Sequence, residues 1–214
     1  MLKVYFCESE WWNTFSDIFK EKYSQALVSS YDEARKTLTH LPKIINVVVD
    51  LAPWLCIPET GSGATTRNSR QILISLDHNL PYGEEHLMID ARSTMLHELN
   101  HANRFEAGYW HENFLDHCIL EGLATVYERE QTGTTPPWGK YDVSLTSKWV
   151  HEIKDNLDTL SFQHYMYKHP DGRRWIGYLT GTYLVDQAIK KSGKDVHDLS
   201  NNSESQEILK LAQI

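Results

Sequence analysis

The sequence has only three cysteines in 214 residues, Cys7, Cys56 and Cys118, widely spaced and with no C-x-x-C pair. That spacing argues against a disulfide frame, and the chain reads as cytoplasmic with reduced thiols. Cys118 is a minor candidate for a metal ligand beside its commoner reading as a buried apolar residue. No basic block offsets a net charge of −8, which argues against a phosphate-backbone partner such as nucleic acid. No stretch approaches the roughly 20 apolar residues of a membrane span. The start, MLKVYFCESEWW, lacks the basic segment and apolar run of a secretion signal. Internal repeats and low-complexity tracts are lacking as well. What remains is ordinary globular composition, 41% hydrophobic and 23% charged, in a chain long enough for one sizeable core.

Hydrophobic periodicity gives the plan. Leu2 to Phe6 is a short apolar strand. Phe15, Ile18, Phe19, Tyr23 and Leu27 repeat at helical spacing within a helix from Trp12 to Leu27, and a second short helix runs from Asp32 to Leu41, ending at Pro42. Ile44 to Leu51 is nearly continuous and β-branched, which predicts a buried strand. Ala52 to Asn68, with Pro53, Pro58, Gly61 and Gly63, reads as an irregular loop, and Gln71 to Leu76 as a further strand. From Leu87 onward the pattern is mainly helical. The expected class is α+β: one domain over 1–214, with an α/β lobe carrying a short mixed sheet at 1–86 and a helical lobe at 87–214.

His97-Glu98-Leu99-Asn100-His101 is the segment with chemistry in it. Histidines four apart on a helix lie about 6 Å along the axis and about 40° around it, close enough to reach one metal ion. Zinc takes such nitrogen donors, with a third protein ligand and an open position for water. The glutamate after the first histidine stands where it can take a proton from that water. With 11 histidines in the chain the pentapeptide can arise by chance, so its surroundings decide. Met88, Ala91, Met95, Leu99 and Ala102 repeat on the other face of the segment Leu87 to Phe105, which leaves the histidines off the main apolar stripe.

A third ligand is needed. A histidine six residues beyond His101 is ruled out, because Ala107 stands there, and Arg104 replaces the glycine expected between. A glutamate from a following helix is available in Glu121, within the apolar run Ile119 to Ala124. An isolated carboxylate there is costly, and a metal removes that cost; the alternative is a glutamate paired with Arg104 or left solvated on the helix surface. His117, Thr125 and Glu128 share the helical face of Glu121 and are candidates for orienting ligands from behind.

H-E-x-x-H followed at Glu121 by a glutamate resembles the gluzincin zinc metallopeptidases, the thermolysin-like group. More narrowly, H-E-L-N-H-A-N-R at 97–104, E-G-L-A at 121–124 and W-I-G-Y-L-T-G-T-Y-L-V at 175–185 resemble a family of predicted zinc-dependent proteases. The resemblance implies a zincin-like fold and a peptidase that binds Zn2+ through His97, His101 and Glu121, with Glu98 as general base and a peptide or protein as substrate. It also implies a strand before the active-site helix that pairs with an extended substrate, for which Gln71 to Leu76 is the candidate. An oxyanion-stabilising side chain is expected from a later helix. Tyr178 is the first candidate, then Tyr183, with His151, His164 and His169 behind them. Gly177 and Gly181, four apart, predict close packing of that helix against a neighbour.

A non-catalytic zinc domain whose cleft binds a partner is the alternative, and a metal-free helical interaction module a third. Glu98 separates the first two, because a structural site needs no base and closes with a fourth protein ligand. No membrane partner is expected, and the pattern says nothing of oligomeric state.

Overall fold

A computed structural model describes residues 1–79, 81, 83–109 and 112–213. Its chain divides into two compact units, the first Met1–Ala107 and the second from Gly108 onward. The division falls after the helix that carries His97 and His101, not before it at 86/87, because that helix packs on the sheet and on the first helix.

In the first unit, β1 (Leu2–Phe6) is followed by a 3₁₀ turn at Glu10–Thr14 and by α1 (Phe19–Ala34). Phe19, Tyr23, Leu27, Tyr31 and Ala34 recur at helical spacing and are buried. One helix thus replaces the two expected. The serines at 29 and 30 do not break it, because Ser30 Oγ donates to the Ala26 carbonyl at 2.9 Å and is absorbed into the helical ladder. Tyr31 then anchors the following turn by donating to the Pro42 carbonyl at 2.7 Å.

β2 (Ile45–Leu51) buries Ile45, Val47, Val49 and Leu51 on one face and leaves Asp50 exposed on the other. β3 (Ser62–Asn68) and β4 (Gln71–Leu76) complete a mixed sheet of order β1-β2-β4-β3. β1 with β2 and β2 with β4 are parallel; β3 with β4 is antiparallel. The strand β3 lies where an irregular loop was expected. Its sequence, SGATTRN, has no apolar alternation, and its pairing with β4 makes it a strand. Gly63 is required there, since a Cβ would fall 2.2 Å from the Leu55 carbonyl oxygen.

The order corrects a second expectation. Gln71–Leu76 is interior, bonded to β2 on one side and β3 on the other, so it has no edge to offer. The edges belong to β1 and β3, and of these β3 is the one that packs on the helix carrying His97 and His101. α2 (Gly83–Glu106) begins four residues earlier than expected, with Glu84 and Glu85 in the first turn, where the helix dipole favours acids. Leu87, not Met88, joins Ala91, Met95, Leu99 and Ala102 in its buried stripe.

The second unit is helical: α3 (Phe114–Thr132), α4 (Val143–Asp155), α5 (Phe162–Met166), α6 (Ile176–Ser192), α7 (Val196–Asn202) and α8 (Ser205–Leu211). Asn113 and Asp116 form a capping box at the start of α3, and Gly133 ends it in the left-handed conformation, φ 72°. Gly181 of α6 meets Cys118 and Gly122 of α3 backbone to backbone, as the small residues at 177 and 181 predict. Arg129 of α3 and Asp186 of α6 pair at 2.7 Å, and Tyr141 Oη donates to the same carboxylate at 2.7 Å. Among the described residues no helix is long and apolar enough to cross a membrane.

Candidate metal centre

Every residue of α2 from Met95 to Arg104 is buried. Six of those ten are polar: His97, Glu98, Asn100, His101, Asn103 and Arg104. Interior polar groups are costly unless they find partners, and a helix enclosed in this way marks a polar site more strongly than the pentapeptide does alone. Some partners lie on neighbouring elements of the first unit. Asn103 Oδ1 accepts from the His40 backbone N–H at 2.9 Å, and Arg70 pairs with Glu106 at 2.7 Å just beyond the helix's buried stretch.

The two histidines and the glutamate of the motif sit together. His97, Glu98 and His101 are 8%, 5% and 6% exposed. The imidazoles face each other edge-on, ring centroids 4.8 Å apart and planes at 80°. That arrangement follows from one helical turn between them and leaves both rings on one side of α2.

The carboxylate of Glu98 is held from the sheet. Thr66 Oγ1 lies 2.7 Å from Glu98 Oε2 and 3.0 Å from the Glu98 carbonyl oxygen. Two turns earlier on α2, Asp90 accepts from Ser62 Oγ and, at 3.1 Å, from Thr94 Oγ1. Burial raises the Asp90 carboxyl above its ordinary range, while the Ser62 and Thr94 hydroxyls and the nearby His86 pull the other way. Ser62, Thr66 and Asp90 escaped the sequence reading. Ser62 and Thr66 lie on a strand that no apolar alternation announces, and Asp90 lies two turns before the motif on α2.

Glu121 stands on α3 in the second unit, half-buried, with Leu120, Gly122, Leu123 and Ala124 all buried around it. Its charge raises the thiol of Cys118, which is fully buried and pushed up first by that burial. That full burial fits the apolar reading of Cys118. On the same helix His117 rests edge-on against Phe162, centroids 4.9 Å apart, while Thr125 and Glu128 are buried.

Tyr178 lies in the first turn of α6, half-buried in an aromatic cluster with Trp175 at 5.6 Å and Trp138 at 6.5 Å between ring centroids. Trp175, which opens α6, is left-handed at φ 59°, an unfavourable conformation for a bulky side chain. Tyr183 packs against Tyr141 instead. His151 and His164 are exposed, and His169 pairs with Asp171 at 2.8 Å. Of the expected site residues, the structure brings His97, Glu98 and His101 together within the first unit; Glu121 and Tyr178 belong to the second.

No curated protein and no solved structure matches the chain. One family model does, described as predicted Zn-dependent protease (DUF2268), over residues 56–210. That span takes in β3, the whole of α2 and α3, and α6. The chain therefore belongs to this family of predicted Zn-dependent proteases.

Proposed function

We propose that the protein is a zinc-dependent peptidase of the gluzincin type with a zincin-like fold, in which His97, His101 and Glu121 hold the metal and Glu98 is the general base. The observation that carries this reading is the buried pair of facing imidazoles on α2 with a carboxylate between them in sequence, itself fixed by a hydroxyl. Two imidazoles and one carboxylate are a donor set that zinc takes while keeping a position open. In this reading the first unit supplies both imidazoles and the second the carboxylate.

Zinc bound there supplies Lewis acidity, polarising the scissile carbonyl and making water more acidic. Glu98 takes the proton of the attacking water and passes it to the departing amine. Tyr178 donates to the oxyanion that develops on the attacked carbonyl. β3, as the edge strand, pairs by its main chain with an extended peptide and aligns the scissile bond.

The deciding experiment joins metal analysis of the purified protein to an assay on a mixed peptide library. We expect zinc near one equivalent, cleavage abolished by a chelator, and activity restored by added zinc. Purified protein that binds zinc yet cleaves nothing in the library would instead support the non-catalytic reading.

A further inference from the structure

We infer that Thr66 is a positioning residue for Glu98: its hydroxyl, presented by the edge strand, fixes the carboxylate in the orientation from which it accepts a proton. The inference rests on the peptidase reading above for its catalytic consequence, but the positioning itself is a property of the first unit alone.

The geometry is a match of two repeats. Thr66, Ala64 and Ser62 pair with Ile72, Ile74 and Leu76 of β4. Those three β4 residues are buried, so the β3 residues opposite them share the inner face of the sheet. Ser62 and Thr66 are four residues apart, about 13 Å along a strand. Their acceptors, Asp90 and Glu98, are eight apart on α2, about 12 Å along a helix. Both hydroxyl–carboxylate bonds therefore form at once, and β3 is fastened along α2 at two points.

Position 66 is also where the ladder ends its regular course. Register shifts between Thr66 and Asn68, leaving Arg67 as the extra residue of a bulge. Bulges are common beside functional sites, and the residue that precedes this one, Thr66, is β-branched with few rotamers. The glutamate it meets is one of the most conformationally free side chains. With Oε2 engaged by Thr66, the carboxylate plane is set and Oε1 is the oxygen that takes the proton. A base held in one orientation contributes through alignment, without any change in how strongly the protein binds metal or substrate.

Two substitutions in the full chain test this. Thr66→Val keeps shape and β-branching but removes the donor; Thr66→Ser keeps the donor. On the zinc-loaded enzyme we expect Thr66→Val to lower kcat on the order of 10- to 100-fold, with KM within about twofold, and Thr66→Ser to recover most of the loss. Zinc content and the thermal midpoint should show no matching change. Crystal structures supply a readout that needs no activity: one Glu98 conformer bonded to Thr66 in the wild type, and a displaced or multiple conformer in Thr66→Val. A Thr66→Val protein with wild-type kcat, a Thr66→Ser protein as slow as Thr66→Val, or an unmoved Glu98 in the crystal would each overturn the inference. A wild type that cleaves nothing even when zinc-loaded overturns the peptidase reading instead, and the crystallographic comparison then judges the positioning by itself.

Discussion

Gly122 of α3 and Gly181 of α6 leave no room for a side chain between them. A Cβ built on Gly181 falls 1.7 Å from the Cys118 carbonyl oxygen, and one on Gly122 falls 2.2 Å from the Gly181 carbonyl carbon. The obstructing atoms are backbone, so relief requires the helices to separate. Alanine gains about 1 kcal/mol in helix propensity, whereas overpacking costs about 1–3 kcal/mol and rises when backbone must move. Gly181→Ala should therefore be destabilising by roughly 2 kcal/mol net, lowering the thermal midpoint by several degrees. Calorimetry on the substituted chain checks this; an unchanged or raised midpoint contradicts the close crossing.

Glu98→Gln should keep the metal and lose hydrolysis. The amide still accepts from Thr66 but takes no proton, so a drop of about 10²–10⁴ in kcat is expected. Wild-type activity in Glu98→Gln would remove Glu98 as the base. Tyr178→Phe should reduce kcat by a smaller factor, with KM little altered, and an unchanged kcat would return Tyr178 to its aromatic cluster as a packing residue.

Glu121→Ala should weaken zinc retention by at least tenfold, a loss comparable to or larger than that from disturbing a ligand's support. Metal content after dialysis against a graded chelator is the measurement. Equal stoichiometry and equal retention in the wild type and Glu121→Ala would strike Glu121 from the ligand set, whatever the peptidase assay shows.

Acid should loosen the second unit at a known point. Arg173 donates to both Glu152 oxygens, at 2.7 and 2.8 Å, and this pairing, with help from Tyr165, holds the Glu152 carboxyl below its ordinary value of 4.5. Because the folded value lies below the unfolded one, the contribution is present above about pH 4.5 and lost as pH falls through the folded value. Both partners are partly exposed, so it amounts to about 1 kcal/mol or less. Denaturation at pH 7 and pH 3 should show a smaller loss for Glu152→Gln than for the wild type; equal losses would contradict it.

The thiols should be slow. Burial, then the charges of Asp77 and Asp90, push Cys56 up to about 12; burial and Asp50 raise Cys7; burial and Glu121 raise Cys118. At pH 8 a thiol at such a value has roughly 10³ times less thiolate than an ordinary one. Native protein should react with Ellman's reagent far more slowly than denatured protein, in which all three cysteines titrate. Rapid labelling of Cys56 in the native state would show that its surroundings are more open than described.

Where the sequence spoke through periodicity it was readable. Ile45–Leu51 and Gln71–Leu76 carry enough β-branched and aliphatic residues to announce strands, and His97 and His101 reveal their shared face by spacing alone. The apolar neighbourhood of Glu121 was legible too, and Leu120, Gly122, Leu123 and Ala124 are buried around it. β3 was not, because Ser62–Asn68 is a strand by virtue of its partner, not its side chains. That β4 lies inside the sheet was equally hidden, since strand order is set by long-range pairing. The early start of α2 did have a local signal, Glu84 and Glu85 in the first turn, which apolar periodicity overlooks.

The fastening of β3 to α2 also bears on how the edge strand avoids folding out of register. Ordinarily a strand's burial pattern penalises a one-residue slip but not a slip of two, which restores the same face. Here Ala64, midway between Ser62 and Thr66, has no donor. A slide of two residues in either direction sets Ala64 against one of the two carboxylates, Asp90 or Glu98, and strands a charged group without its hydroxyl. The acidic side chains of α2 thus proofread the placement of the strand, rejecting a misfolded neighbour state that hydrophobicity alone would tolerate.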